Sequence, residues 1–374
     1  MQKKIIYVVS LVHKSLAFEW IASALKNDYK LSFILLNSSN SALEEYLKLN
    51  QVEVTRINYA GKKDFIQAFF NLFFIFLKKK PDIVHAHLFD AQLIGLTAAW
   101  LLRIKKRVYT RHNSNYHHVY HQQGIRYDRW SNRMATQIIS ISQATDKTLL
   151  QLEQVPHRKV IKIPHGFDLN EFAKVTNDRI IRVLEKWKIS NGQFNIGVIA
   201  RHIEWKGIQY IIPAFQKFLK EDPKARLVLA NASGPYHEKI VDLLKSIPTD
   251  RFILIPFEED VAALYSIFDL FVHTPIDPIC EAFGQTYVEA LAAGVPSLFT
   301  LSGIAEEFIV HERNALVVKF KDSDDIYLAL MRLSKNTELR IHLVKNGKQD
   351  VFSRFGVARM ITSLRKLYEE QSFF

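Results

Sequence analysis

The stretch Glu281-Ala-Phe-Gly-Gln-Thr-Tyr-Val-Glu289-Ala-Leu-Ala-Ala-Gly294-Val-Pro296 sets two carboxylates eight positions apart around an Ala-Phe-Gly bend. The pattern predicts a loop that carries Glu281 and a small-residue helix that ends at Gly294, with Glu289 about two turns into it. A helix start preceded by glycine leaves unpaired N–H groups and the positive end of the helix dipole facing whatever lies in front. Carboxylates beside such an anion site suit a ligand that carries phosphate and hydroxyls together, as a nucleotide sugar does.

A second segment lies some eighty residues upstream: Gly197-Val-Ile-Ala-Arg201-His-Ile-Glu-Trp-Lys206-Gly207. It reads as a strand ending near Ala200, a loop with two cations five apart, and a helix starting near Gly207. Arginine presents a planar fork suited to phosphate oxygens, and lysine a mobile point charge. Together they can neutralise a diphosphate; alone, two such residues are more often solvated surface charges.

Outward from these motifs, short apolar runs alternate with helical patterns. Ile5–Ser10, Leu31–Leu36, Val52–Ile57, Ile83–Ala86, Val108–Thr110 and Gln137–Ile141 read as strands, with helices such as Leu16–Leu25 and Phe65–Lys80 between them. The rhythm restarts with Asn195–Ala200, Arg226–Ala230, Arg251–Pro256, Leu270–His273, Val295–Thr300 and Ala315–Val318. The helices there are Ile208–Leu219, Pro235–Ser246, Asp260–Phe268 and Thr286–Ala293. This predicts an α/β protein with two doubly wound, Rossmann-like domains facing a cleft, with ligands at the carboxyl ends of the strands. The turn-rich segment Ile163-Pro-His-Gly166-Phe-Asp168 marks the junction. The expected domains are 1–165 and 166–355, with the last helix, from 356 to 374, returning to the first.

With 374 residues and 48% hydrophobic residues, the chain can fill two cores. Its single cysteine, Cys280, excludes a disulfide framework and suits a reducing compartment. No apolar run is long and clean enough to span a bilayer, and the basic, apolar start at Met1–Ser10 reads as a buried strand, not as a signal peptide. The expected location is cytoplasmic, or peripheral on the inner face of the cytoplasmic membrane. Charge is lopsided: residues 1–165 carry 24 Lys and Arg against 11 Asp and Glu, the remainder 26 against 27. A net of +13 in the first half points to a polyanionic partner or to a basic surface without one. No helix-turn-helix, RNA-recognition or zinc-finger pattern is present, which argues against nucleic acid.

Taken together, Gly-x-x-x-Arg201-x-x-x-x-Lys206-Gly and Glu281-x-Phe-Gly-x-x-x-x-Glu289-Ala-x-Ala-x-Gly-x-Pro resemble the nucleotide-sugar domain of the retaining glycosyltransferases of family 4, which have the GT-B fold. Pro81-Asp-Ile-Val-His85-Ala-His87, Thr110-Arg-His112, Ile139-Ser-Ile-Ser142 and the segment Ile163–Asp168 resemble further family segments, so the likeness runs from about Pro81 to Val318. The resemblance implies a metal-independent hexosyltransferase with no cofactor, acting on a UDP-sugar donor and a glycan or lipid-linked acceptor in polysaccharide or lipopolysaccharide synthesis. By the same resemblance, Glu289 accepts from the ribose hydroxyls, and backbone N–H groups near Phe283, Gly284 and Gln285 meet donor sugar or phosphate. Arg201 and Lys206 clamp the diphosphate, Glu281 binds sugar hydroxyls, and His112 stands near the reacting sugar. The region around Pro256 and Phe257 meets the base. A sugar-nucleotide epimerase, a glycan phosphorylase and a non-catalytic nucleic-acid or membrane-binding module are the other readings carried.

One segment departs from the family. Where its members often have a glycine-rich loop, this chain has Ser10-Leu-Val-His13-Lys14-Ser15, with no glycine. The loop is expected to be less permissive of positive φ, with His13, Lys14 and Ser15 contacting acceptor or phosphate through side chains. Asp322-Ser-Asp324-Asp325 reads as a helix N-cap, not as a metal motif. The histidines of His112–His121 lack a defined zinc ligand set and read as a polar loop. Asp64–Lys80, with six phenylalanines and a basic end, reads either as core or as a membrane-facing helix, and Lys105-Lys106-Arg107 is expected to add to a positive surface. Phe352–Phe374 reads as one amphipathic helix whose Tyr368-Glu-Glu end is an exposed tip.

Overall fold

The computed structural model describes residues 2–190 and 192–370. They form two compact units, one drawn from 1–167 together with 357–374, the other from 168–356.

The first unit is built on seven parallel strands: β1 (Lys4–Ser10), β2 (Lys30–Leu36), β3 (Glu53–Ile57), β4 (Ile83–His87), β5 (Lys106–Thr110), β6 (Gln137–Ser140) and β7 (Val160–Lys162). Their order is β3-β2-β1-β4-β5-β6-β7. β1 reads Lys-Ile-Ile-Tyr-Val-Val-Ser, and the six residues after Lys4 are buried. Continuous apolar strands of this kind follow from helices covering both faces of a parallel sheet. β7 escaped the sequence reading because three residues carry too little alternation to register.

The second unit repeats the plan with β8 (Asn195–Ile199), β9 (Arg226–Ala230), β10 (Phe252–Ile255), β11 (Leu270–His273), β12 (Ser297–Phe299) and β13 (Leu316–Val317), in the order β10-β9-β8-β11-β12-β13, all parallel. Its core packs Ile196, Val198, Phe215, Leu229, Val272 and Leu330 between sheet and helices. The fold class read from the sequence is therefore the one observed. In each unit the strand order reverses at one place, between β1 and β4 and between β8 and β11. Loops leaving neighbouring strands diverge there and open a crevice at the carboxyl edge of the sheet.

Four local expectations are corrected. Phe352–Phe374 is not one helix: Thr337–Arg354 and Val357–Glu369 are separate, broken at Phe355-Gly356, and 371–374 lie outside the described residues. Tyr368 is no exposed tip. It is 1% exposed, and its hydroxyl meets those of Tyr7 at 2.5 Å and the Nδ1 of His85 at 2.6 Å. Lys106 is not a surface charge either: it is buried and donates to the carbonyls of Leu367 and Glu370, where a cation favours the helix C-terminus. The glycine-free loop does take a positive φ, +55° at Leu11.

The phenylalanine-rich segment resolves into a two-faced helix, Phe65–Lys79. Ala68, Leu72 and Phe76 are buried in the first unit's core, while Ile66, Phe70, Phe74 and Leu77 are more than half exposed. No helix among the described residues is long and apolar enough to cross a membrane. Asp322 caps its helix, accepting from the backbone N–H groups of Asp324 and Asp325.

Candidate functional site

In the second unit the two motifs meet at the strand-order reversal. The loop leaving β8 bends through a single turn of 3-10 helix, Glu204–Lys206, to Gly207, which stands at φ +74° ahead of the helix Ile208–Phe218. A side-chain carbon at Gly207 would fall 1.8 Å from the carbonyl oxygen of Thr274, the residue after β11, so glycine is required for close passage as well as for φ. This passage brings Lys206 to Glu281 on the loop after β11: Nζ to Oε1 is 2.5 Å, with little of either side chain exposed.

Glu281 is held from two further sides. Its backbone N–H donates to the Ser302 hydroxyl at 3.2 Å, and His273 Nε2, at the end of β11, lies 3.3 Å from Oε1. Burial would raise the Glu281 carboxyl, but the Lys206 ammonium and then His273 outweigh it and hold the group well below the usual carboxylate range. His273, fully buried, is pushed below the ordinary imidazole value by that burial, with Glu281 pulling the other way.

The Ala-Phe-Gly bend feeds the helix Gln285–Ala293 through Gly284 at φ +85°, and the helix ends at Gly294 at φ +79°. In its first turn the Tyr287 N–H returns to the Gly284 carbonyl at 3.2 Å, and the positive end of the helix dipole, at Gly284 and Gln285, lies beside Glu281. Phe283 is buried, and Gln285 is exposed. Glu289 is the fifth helical residue, a little more than one turn in and not two. The buried Tyr265 hydroxyl donates to its carboxylate at 3.0 Å. Burial pushes this carboxyl up to about 7, with the Tyr265 bond pulling it back.

The remaining second-unit candidates lie on loops at the same sheet edge but do not join the Lys206–Glu281 contact. Arg201 is exposed just beyond β8. Pro256 and Phe257 follow β10; both are exposed, Phe257 by 64%.

In the first unit His112 stands beyond β5, half-buried. Its Nε2 is 3.0 Å from His87 Nδ1, and its ring stacks on that of His165 at 5.5 Å and 13°. Burial, then His165 and His85, lower His112 to about 3, so it is neutral. His13 and Lys14 are exposed after β1. Ser15 precedes the helix Leu16–Leu25 without capping it through its side chain. Two other histidines of the 112–121 loop join a buried cluster in which Arg111 bridges Asp128 and Glu153: His117 Nδ1 sits 2.5 Å from Asp128 and His118 Nε2 3.4 Å from Glu153, while His121 is exposed. Among the described residues no group of three or more His, Cys, Asp or Glu is placed to hold a metal ion.

Sequence reasoning missed His273, Tyr265, His87, His85 and Tyr368 as members of these clusters. His85-Ala-His87 did carry a signal, since alternate residues of a strand share a face. Tyr265 and Tyr368 carried none, because their partners are distant in the chain.

Residues 181–350 match the family model for Glycosyl transferases group 1, and residues 17–171 that for Glycosyltransferase Family 4. Among characterised relatives, the alpha-monoglucosyldiacylglycerol synthase of Acholeplasma laidlawii is 26% identical over 72% of this chain and 71% of its own. The capsular polysaccharide biosynthesis glycosyltransferase CapM of Staphylococcus aureus is 24% identical over 81% and 80%. The crystal structure of Anabaena HepE in complex with UDP and glucose superposes with a TM-score of 0.85 over 99% of this chain and 100% of that one, at 20% identity, which is a likeness of fold. With one family model matching each of its two sheet domains, the chain belongs to the group 1/family 4 glycosyltransferases of the GT-B fold.

Proposed function

We propose that this glycosyltransferase moves a sugar from a UDP-sugar to a hydroxyl of a glycan or lipid-linked acceptor in the synthesis of cell-surface polysaccharide or lipopolysaccharide, with retention of anomeric configuration and without an essential metal. The observation that carries the reading is the Lys206–Glu281 pair at the β8/β11 reversal, beside the glycine-headed helix. A cation, a buried carboxylate and the positive end of a helix dipole at one crevice suit a diphosphate joined to a polyhydroxylated ring. UDP is supported by the fold likeness to HepE, solved with UDP and glucose, and the acceptor class by the names of CapM and the diacylglycerol synthase.

In this reading Glu289 accepts from the ribose hydroxyls, and the base lies against Pro256 and Phe257. Lys206, with Arg201, takes up the charge that grows on the diphosphate as the bond from the sugar C1 to oxygen breaks. The acceptor oxygen forms the new C1–O bond on the same face, and its proton passes to the departing phosphate oxygen, so no separate base is needed. Glu281 accepts from sugar hydroxyls, and His112 of the first unit serves the reacting sugar. The acceptor belongs to the basic first unit, near His13, Lys14 and Ser15. The exposed stripe Ile66, Phe70, Phe74 and Leu77 would rest on an anionic membrane, with Lys78 to Lys80 beside it.

The test is UDP release from a panel of UDP-sugars with and without a chelator, followed by NMR assignment of the product anomer. Turnover that survives chelation and an anomer matching the donor support the proposal. Dependence on a divalent ion, inversion, or no turnover with any nucleotide sugar contradicts it.

A further inference from the structure

The hydrogen-bonded histidines of the first unit restrict what His112 can do. His87 lies at the carboxyl end of β4, beside the reversal between β1 and β4. Its ring is clamped: Tyr7 stacks on it at 5.3 Å and 10°, His85 lies 4.1 Å away, and Phe18 meets it edge-on at 4.9 Å. His85 beneath is fixed in turn, with Nδ1 on the Tyr368 hydroxyl and Nε2 on Thr110 at 2.9 Å. The next residue, Leu88, is held at φ +70° and ψ 159°, a region that favours glycine. Strain of this kind persists where the surroundings over-determine the chain, and it clusters at functional sites.

His87 Nδ1 faces His112 Nε2 at 3.0 Å, while His87 Nε2 is buried with no hydrogen-bond partner among the described residues. Burial holds both rings neutral, so each carries one proton, and only one of the two facing nitrogens can hold it. A buried N–H without an acceptor is rarer and costlier than an under-used acceptor. The proton of His87 therefore belongs on Nδ1, donated to His112, and the proton of His112 on its own Nδ1.

We propose that His87 is a positioning residue that locks His112 as the neutral Nδ1–H tautomer, so that His112 meets the reacting sugar as a hydrogen-bond donor and not as a base. The His85–Tyr368 contact makes the C-terminal helix part of this support. The proposal rests on the reading that places His112 at the reaction centre.

The full-length protein is compared with His87→Leu, which removes the donor, and His87→Asn, which returns an amide N–H near the Nδ1 position. His87→Leu should lower kcat roughly 10- to 100-fold, the loss usual when a residue orienting an active group is removed. The donor KM should stay within about twofold, and His87→Asn should recover most of the rate. Nitrogen-15 spectra of the imidazoles should place the His112 proton on Nδ1 in the wild type and shift it toward Nε2 in His87→Leu. A wild-type His112 protonated on Nε2, or an unchanged kcat in His87→Leu, overturns the proposal. If His87→Leu does not fold, the wild-type tautomer and the His87→Asn rate decide it. Full activity in His112→Ala would instead overturn the placement of His112 at the reaction centre. The tautomer measurement needs no substrate and would still decide the coupling.

Discussion

Lys206 Nζ stands 2.5 Å from Glu281 Oε1, joining two loops that leave β8 and β11, strands paired in the sheet yet separated by two others in the chain. Both side chains are largely shielded, at 20% and 10% exposure. Removing one partner of such a pair leaves a desolvated charge. Lys206→Met should therefore cost about 3 kcal/mol in urea unfolding. The double variant Lys206→Met with Glu281→Gln, which removes both charges, should recover part of that loss. Equal stability of all three proteins would show the pair to be energetically silent.

Glu289 gives a pH dependence of opposite sign to an ordinary paired carboxylate. Its folded value of about 7 lies above the ordinary 4.5, so folding favours the protonated form. That contribution is full below about 4.5 and is lost as the pH rises through about 7. Glu289→Gln, which cannot ionise, should gain stability relative to the wild type between about pH 5 and about pH 8. Ribose hydroxyls donate best to an ionised carboxylate, so wild-type affinity for UDP should rise over the same interval while that of Glu289→Gln stays flat. Parallel profiles for the two proteins would remove Glu289 from the ribose site.

Among the described glycines of the second unit, Gly207 leaves a side-chain carbon the least room, 1.8 Å from the Thr274 carbonyl oxygen, and stands at φ +74°. Gly207→Ala should lose at least about 2 kcal/mol, and should reduce turnover by moving Lys206. A thermal melt unchanged from wild type would contradict this.

The exposed phenylalanines of Phe65–Lys79 predict binding to vesicles. Each phenylalanine removed from water is worth about 1.5–3 kcal/mol, so Phe70→Ser with Phe74→Ser should weaken co-sedimentation with anionic vesicles at least about tenfold. The core below them rests on Ala68, Leu72 and Phe76, so stability should hold. Wild-type protein that stays wholly in the supernatant contradicts membrane contact.

Legibility followed the range of the interactions. Helix Leu16–Leu25 and strand Leu270–His273 were readable to the residue, because periodicity and flanking polar residues are local signals. Through the family resemblance, the Arg201–Lys206 and Glu281–Glu289 segments were readable as motifs expected to share one ligand. Their direct pairing was not, since Lys206 and Glu281 lie 75 positions apart and nothing local records which cation turns inward. Tyr368 and Lys106 were misread for the same reason. A tyrosine before two glutamates and a lysine in a basic run both read as surface, until the last helix docks on the first sheet, where Tyr7 and His85 meet Tyr368 and the carbonyls of Leu367 and Glu370 accept from Lys106.

The proposed function depends first on whether the second unit holds the nucleotide sugar at Lys206 and Glu281. It is tested most directly by calorimetric titration of UDP and UDP-glucose into the wild type, Lys206→Ala and Glu281→Ala, each checked for native folding. The wild type should bind both ligands saturably. Lys206→Ala should weaken UDP by about tenfold or more, the worth of one charge-assisted contact, and Glu281→Ala should selectively remove the added affinity of the sugar. Identical affinities in all three proteins, or no binding of either ligand by the wild type, would contradict it.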